Sequence, residues 1–305
     1  MIYERYYGLQ ERPFDLSPNP RFLCFTAQHR EALAHLEYGL AGRPGITVIV
    51  GEAGTGKTTL VRKALQVSTG ESTVVHLSNP TLTRAEFYEY LVGGFGFSTE
   101  AGKSKIHFLR ELDAHLDDES KPRLALVVDE AQSVPYELLE EIRLLTNAES
   151  ATGRSIAVAL VGQPELARRL DEVRLRQLKQ RVVLRCALAP LSLKDTAAYI
   201  TGRVKTAGGE AMRLFTRDAV IAIHKHSKGI PRVISVICDN ALVNGFAADQ
   251  KPVGASIIAE VCRSLALTPE ESYADAAAQP PVAPAPAAAT APMFADVGRR
   301  RFSFF

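Results

Sequence analysis

The chain contains no C-x-x-C pair, no internal repeat and no apolar stretch near the roughly 20 residues that a membrane helix requires. Its four cysteines (Cys24, Cys186, Cys238 and Cys262) are far apart. That spacing argues against a disulfide framework or a ligand cluster and for reduced residues buried in a core. A formal charge of +2 over 305 residues excludes a global attraction to nucleic acid or anionic membrane, so any such binding must come from a local patch. The first residues, Met1-Ile2-Tyr3-Glu4-Arg5-Tyr6-Tyr7, lack the basic-then-apolar layout of a signal peptide. A cytoplasmic protein without a transmembrane segment is therefore expected. With 46% hydrophobic and 23% charged residues, the chain has the composition of a globular protein large enough for an α/β domain and a smaller one.

Against these absences stands one complete motif. Gly51-Glu52-Ala53-Gly54-Thr55-Gly56-Lys57-Thr58 reads G-x-x-x-x-G-K-[ST]. It follows the β-branched run Ile46–Val50 and precedes the helical pattern that opens with Thr59. Backbone N–H groups freed by the glycines can turn inward around phosphates, and the helix N-terminus adds partial positive charge. Lys57 is placed to reach the β- and γ-phosphates, and the Thr58 hydroxyl to hold Mg²⁺. The chain is expected to bind ATP along Gly51–Thr59 with magnesium.

From about residue 45 to 190, strands at Ile46–Val50, Thr73–Leu77, Leu124–Asp129, Ile156–Val161 and Val182–Ala187 alternate with helices near 57–67, 83–93, 104–117, 136–147 and 165–179. This is the pattern of a parallel sheet covered on both faces. Beyond Leu191 the β signal stops. Asp195–Lys205, Arg217–His226, Pro231–Phe246 and Ala255–Leu265 carry apolar residues at helical spacing, with Gly229 ending one helix and Pro231 starting the next. The expected division is a leader and helix at 1–44, an ATPase core at 45–190, a helical lid at 191–267 and a tail at 268–305. Alanine, proline and acidic residues in the tail argue for disorder, and it closes on the basic-aromatic tip Arg299–Phe305.

Hydrolysis needs more than a phosphate loop. Leu124-Ala125-Leu126-Val127-Val128-Asp129-Glu130 is an apolar strand ending in paired carboxylates, with Asp129 assigned to magnesium and Glu130 to general base. Gln163, at the end of the next strand, is the candidate γ-phosphate sensor; the competing reading is a helix-capping or loop glutamine before Pro164. Arg232, in the first turn of the helix opened by Pro231, can couple nucleotide state to lid position. Arg181 is the candidate arginine finger supplied in trans, with Arg176 as second choice and a solvated basic face as the bland alternative.

These residues together resemble the AAA+ ATPases. The leader Tyr6–Leu23, the run His29–Leu40, Val161-Gly162-Gln163-Pro164-Glu165-Leu166 and Gly229-Ile230-Pro231-Arg232 are similar to the general secretion pathway A-protein (ExeA-like) family over about residues 3–266. The resemblance implies an ASCE-type P-loop sheet with a helical lid, ATP-dependent self-association into an oligomer such as a ring, and a role in assembling envelope machinery. It also implies that the leader contributes to an adenine pocket, through residues around Pro13-Phe14 and His29. Members of that family continue into a membrane span and a peptidoglycan-binding domain, and this chain has neither. It looks more like shorter relatives of pilus and exopolysaccharide export systems, acting in the cytoplasm or at the periphery of the inner membrane on an envelope-assembly protein. The alternative is a DNA-binding ATPase of the transposition-regulator or initiator type. The absence of a winged-helix segment after the lid and the near-neutral charge weigh against it.

Overall fold

A computed structural model of the chain describes residues 3–17, 19–22, 26–41, 45–67 and 72–267. The expected tail at 268–305 and Cys24 lie outside them. Five strands form: β1 (Gly45–Gly51), β2 (Ser72–Leu77), β3 (Arg123–Val128), β4 (Ala157–Gly162) and β5 (Val182–Leu188). They pair only in parallel, in the order β2-β3-β4-β1-β5. The helices are α1 (Glu4–Tyr7), α2 (Ala27–Leu40), α3 (Lys57–Val67), α4 (Arg84–Phe95), α5 (Lys105–Asp117), α6 (Tyr136–Leu145), α7 (Pro164–Leu170) and α8 (Arg176–Lys179), then α9 (Leu193–Thr206), α10 (Ala211–Leu214), α11 (Arg217–Ser227), α12 (Pro231–Ala247) and α13 (Ala255–Ser264).

The period-two alternation of the central strands sorts their side chains into two layers. Ile46, Val48, Val50, Leu124, Leu126, Val128, Val158 and Leu160 join the core formed with α4, α5 and α6. Ile49, Ala125, Val127, Ala157, Ala159 and Val161 join α2 and α3 on the other face. Three alanines on that second face let the helices approach closely. The approach is tightest where a Cβ on Gly39 of α2 would lie 2.4 Å from Thr47 Oγ1 of β1. Helix starts follow side-chain chemistry: Thr26, Ser104, Ser192 and Thr216 each accept a backbone N–H in the first turn, and Thr83 with Glu86 completes a reciprocal capping box.

The single helix expected over 165–179 is broken. It divides into α7, a 3₁₀ turn at Val173–Leu175, and α8. Arg169 and Arg174 both stack on Tyr136, at 4.4 Å and 3.2 Å from the ring centre, and Tyr136 Oη donates to Glu172. Residues five apart on a continuous helix point about 140° from each other, so the break is what lets both guanidiniums reach one ring.

The helical section has its own core, built by α9 to α13 around Ile200, Ile234, Ile237, Leu242 and Ile258. The leader belongs to this core. Tyr3, Tyr7, Leu9 and Phe14 are buried in it, and Phe14 packs edge-to-face on Phe215. Tyr3 Oη donates to Asp239, Tyr6 Oη donates to Asp249 at 2.9 Å, and Gln10 N donates to Ala207 O.

Candidate nucleotide site at the loop–lid cleft

The loop Gly51–Thr58 leaves the C-terminal end of β1 and enters α3, so its backbone turns over the end of the sheet. Gly54 (φ 84°) and Gly56 (φ 97°) occupy the left-handed region that favours glycine. A Cβ on Gly54 would also sit 2.7 Å from Cβ of Arg232. Two constraints, conformation and the closeness of the lid, therefore fall on one residue. Glu52 and Ala53 are exposed, whereas Gly51 and Thr55 are buried, the Thr55 hydroxyl donating to Glu52 O at 2.9 Å. Lys57 is 5% exposed, and its Nζ donates to Gly51 O (2.7 Å) and Glu52 O (3.0 Å). Burial lowers the Lys57 pKa, while the carboxylates of Glu130 and Asp129 act in the opposite sense.

At the end of β3, Thr58 Oγ1 donates to Asp129 Oδ2 at 2.7 Å. Asp129 follows the last residue of the strand and is buried, its N–H bonded to Leu77 O of the neighbouring β2. Glu130 adopts φ 51°, which turns the chain sharply after Asp129. Its Oε2 accepts from Gln132 Nε2 (2.6 Å) and Gln163 Nε2 (3.2 Å). Burial alone would raise the Glu130 pKa, but these two amides and the charge of Lys57 outweigh it and leave the group lowered.

Gln132, beside the paired carboxylates, is a residue that sequence reasoning missed. While its Nε2 holds Glu130, its Oε1 accepts Gln163 N at 2.9 Å, tying the end of β3 to the end of β4. A Cβ on Gly162 would lie 2.6 Å from that Oε1, so Gly162 makes room for the bridge. The available signal was a glutamine two residues after the paired carboxylates and a glycine ending the next strand.

A cleft of about 270 Å³ opens over the loop, lined by Gly54–Thr59, Glu130, Pro231 and Arg232 on one side and by Asp15, Leu16, Ser17 and Phe22 of the leader on the other. Pro231 is the first residue of α12 and has no N–H. The next N–H, of Arg232, donates to Gly54 O at 3.1 Å. The loop carbonyl thus caps a helix terminus that would otherwise carry an unsatisfied donor. His29 of α2 is buried beneath the loop, with Nε2 3.1 Å from Thr55 O and Nδ1 2.7 Å from Thr26 Oγ1. A carbonyl only accepts, so Nε2 carries the hydrogen, and burial holds the imidazole pKa below its ordinary value.

Of the residues named from the sequence, His29 lines the cleft, whereas Pro13, Phe14 and Arg181 do not. Phe14 is sealed in the helical core, and Pro13 contributes its carbonyl to Arg203, so neither lines the cleft; Asp15–Ser17 and Phe22 do. Arg181 lies at the opposite end of the sheet, where its carbonyl accepts Ile46 N and its guanidinium donates to Asn147 Oδ1 at 2.6 Å. The length of β1, about 20 Å, separates it from the loop of its own chain.

Residues 41–170 match the AAA domain family. Over 254 residues, 81% of this chain, the sequence is 40% identical to general secretion pathway protein A of Aeromonas hydrophila, and the chain spans 45% of that relative's length. The fold is similar to the ORC2 protein of Aeropyrum pernix in ADPNP–ADP complexes, with TM-score 0.62 and 17% identity over 84% of this chain and 72% of that one. It is equally similar to Cdc6p from Pyrobaculum aerophilum, with TM-score 0.62 and 16% identity over 83% and 70%. Those identities speak for fold alone. No described helix is long and apolar enough to cross a membrane. By its parallel five-stranded sheet, its phosphate loop and its sequence, the chain belongs to the AAA+ family, among the relatives of general secretion pathway protein A.

Proposed function

We propose that the chain binds and hydrolyses ATP and works as an oligomeric assembly switch for cell-envelope machinery, from the cytoplasm or the periphery of the inner membrane. The observation that carries this reading is the convergence of Lys57, Thr58, Asp129, Glu130 and Gln163 at one mouth of the sheet, under a lid helix bonded to the same loop. Phosphate oxygens take over the Lys57 ammonium from the carbonyls of Gly51 and Glu52. The N–H groups of Gly54–Thr59 and the N-terminus of α3 line the phosphates.

The donor set fits Mg²⁺, since the Thr58 hydroxyl and the Asp129 carboxylate are the hard oxygen ligands this ion combines with phosphates. Magnesium, when bound, neutralises charge on the β- and γ-oxygens. Glu130 accepts a proton from the attacking water, and Gln163 shares its amide between Glu130 and the γ-phosphate. Arrival of the phosphate then frees the carboxylate for catalysis. Arg232 reads the nucleotide from the lid, and Arg181 of a neighbouring copy completes the site in trans. The partner is an envelope-assembly protein, as the name of the secretion-pathway relative suggests.

The test is Glu130→Gln. This variant should bind ATP as the parent does and turn it over roughly 10²- to 10⁴-fold more slowly; near-parental turnover would remove Glu130 as the base. Turnover measured with and without duplex DNA separates the pathways. Strong stimulation would replace the envelope reading with a transposition-regulator one.

A further inference from the structure

Away from the cleft, on the other side of α2, Glu31, His35 and Cys186 bring a carboxylate oxygen, an imidazole nitrogen and a thiol sulfur within 4.8 Å of one another. Glu31 and His35 are four residues apart and share one face of α2, and Cys186 comes from the edge strand β5, against which α2 packs. Cys186 is buried and reduced, and Glu31 is exposed. His35 Nδ1 is buried without a hydrogen-bond partner. An orphaned ring nitrogen is an unfavourable arrangement in a protein interior, because the nitrogen has lost its water and gained nothing.

We propose that Glu31, His35 and Cys186 bind a divalent transition-metal ion of the zinc type. This revises the reading of Cys186 as a plain core residue. Sulfur, nitrogen and oxygen donors together select a borderline-soft ion over Mg²⁺ or Ca²⁺. A tetrahedral ion with bonds of about 2.0–2.3 Å sets its ligand atoms roughly 3.3–3.8 Å apart, so closing the site takes about 1 Å of inward movement. The exposed Glu31 side chain is free to supply it. On binding, the Cys186 thiol releases its proton to solvent and a metal–sulfur bond forms, while Glu31 and His35 contribute a carboxylate oxygen and an imidazole nitrogen. Water completes the shell on the exposed side. The nearby Glu31 charge, which together with burial raises the thiol pKa, becomes favourable once the cation is present.

The location gives the site a consequence. A metal there fastens α2 to β5, and α2 is the helix that carries His29 under the phosphate loop. The linkage also predicts that saturating Zn²⁺ raises the thermal midpoint of the whole chain.

Cobalt(II) is the probe, titrated into the full chain while thiolate-to-cobalt charge-transfer absorption is followed in the near ultraviolet. A saturating band is expected that stoichiometric Zn²⁺ abolishes and excess Mg²⁺ leaves in place. Cys186→Ser should lose the band. Glu31→Gln, an exposed substitution that leaves the fold intact, should keep the band with cobalt affinity weakened at least about tenfold. Absence of a band in the parent, a band that survives in Cys186→Ser, displacement by Mg²⁺, or unchanged affinity in Glu31→Gln would each overturn the proposal.

Discussion

Glu130 holds a left-handed backbone, which costs a residue with a Cβ about 1 kcal/mol or more. The turn it makes presents the carboxylate to Gln132 and Gln163, and those amides set its acidity. Gln132→Ala removes a donor that lowers the Glu130 pKa, so the pKa rises. The acid limb of the kcat profile should then move to higher pH, and an unshifted limb would disconnect Gln132 from the base. His29 gives a second pH signature. Its folded pKa is depressed, so its contribution to stability is complete above the ordinary imidazole value of about 6.5 and is lost as pH falls through the lower folded value. His29→Gln should flatten the fall of the melting temperature on that acid side. At this scale the sequence was legible where spacing alone fixes geometry, as in Gly51–Thr58 and the pair Asp129-Glu130. Gln132 was not, because its placement depends on the left-handed turn at Glu130, and neither propensity nor periodicity marks that turn.

Among the elements, the segment entering α9 meets the turn before α12 through a backbone contact that leaves no space. Leu191 N donates to Gly229 O at 2.8 Å, and a Cβ on Gly229 (φ 74°) would stand 2.1 Å from Leu191 O. Gly229→Ala should therefore destabilise the chain by about 2–4 kcal/mol, read as a lower urea midpoint, since both conformation and contact oppose the methyl. Arg203 of α9 organises the leader. Its guanidinium donates to Pro13 O (2.5 Å), Asp15 O (2.9 Å) and Tyr199 Oη (2.7 Å), and lies 5.0 Å from the centre of the Phe22 ring. Arg203→Ala should weaken ATP binding, measured with a fluorescent analogue, by roughly tenfold or more while the sheet keeps its secondary structure. The strands were readable from their β-branched runs, and the helices from apolar spacing and capping residues. The break between α7 and α8 was not, because two distant-facing arginines meeting one tyrosine is a tertiary arrangement. The leader's place in the lid core was hidden for the same reason: Tyr3, Tyr7 and Phe14 are paired with groups more than 200 residues away, the Asp239 carboxylate, the Gln250 carbonyl and the Phe215 ring.

For the whole molecule, the separation of Arg181 from its own loop makes a specific mixing experiment informative. Arg181→Ala has an intact loop, and Lys57→Ala has an intact arginine. If the arginine acts between copies, ATPase activity should reappear when the two inactive variants are combined, and activity that stays at the sum of the separate samples would return Arg181 to the solvated surface. Within one copy, the phosphate loop and the lid are joined by the bond from Arg232 N to Gly54 O. Helix α12 is 17 residues long, about 25 Å, and this bond lies at its first turn. A helix held at one end behaves as a pointer: a tilt of roughly 10° at the loop carries its far end about 4 Å. At that far end Phe246 lies edge-on to Tyr6 of the leader, and Asp249 just beyond receives the Tyr6 hydroxyl. A small adjustment around a phosphate would thus be displayed, magnified, at the other end of α12.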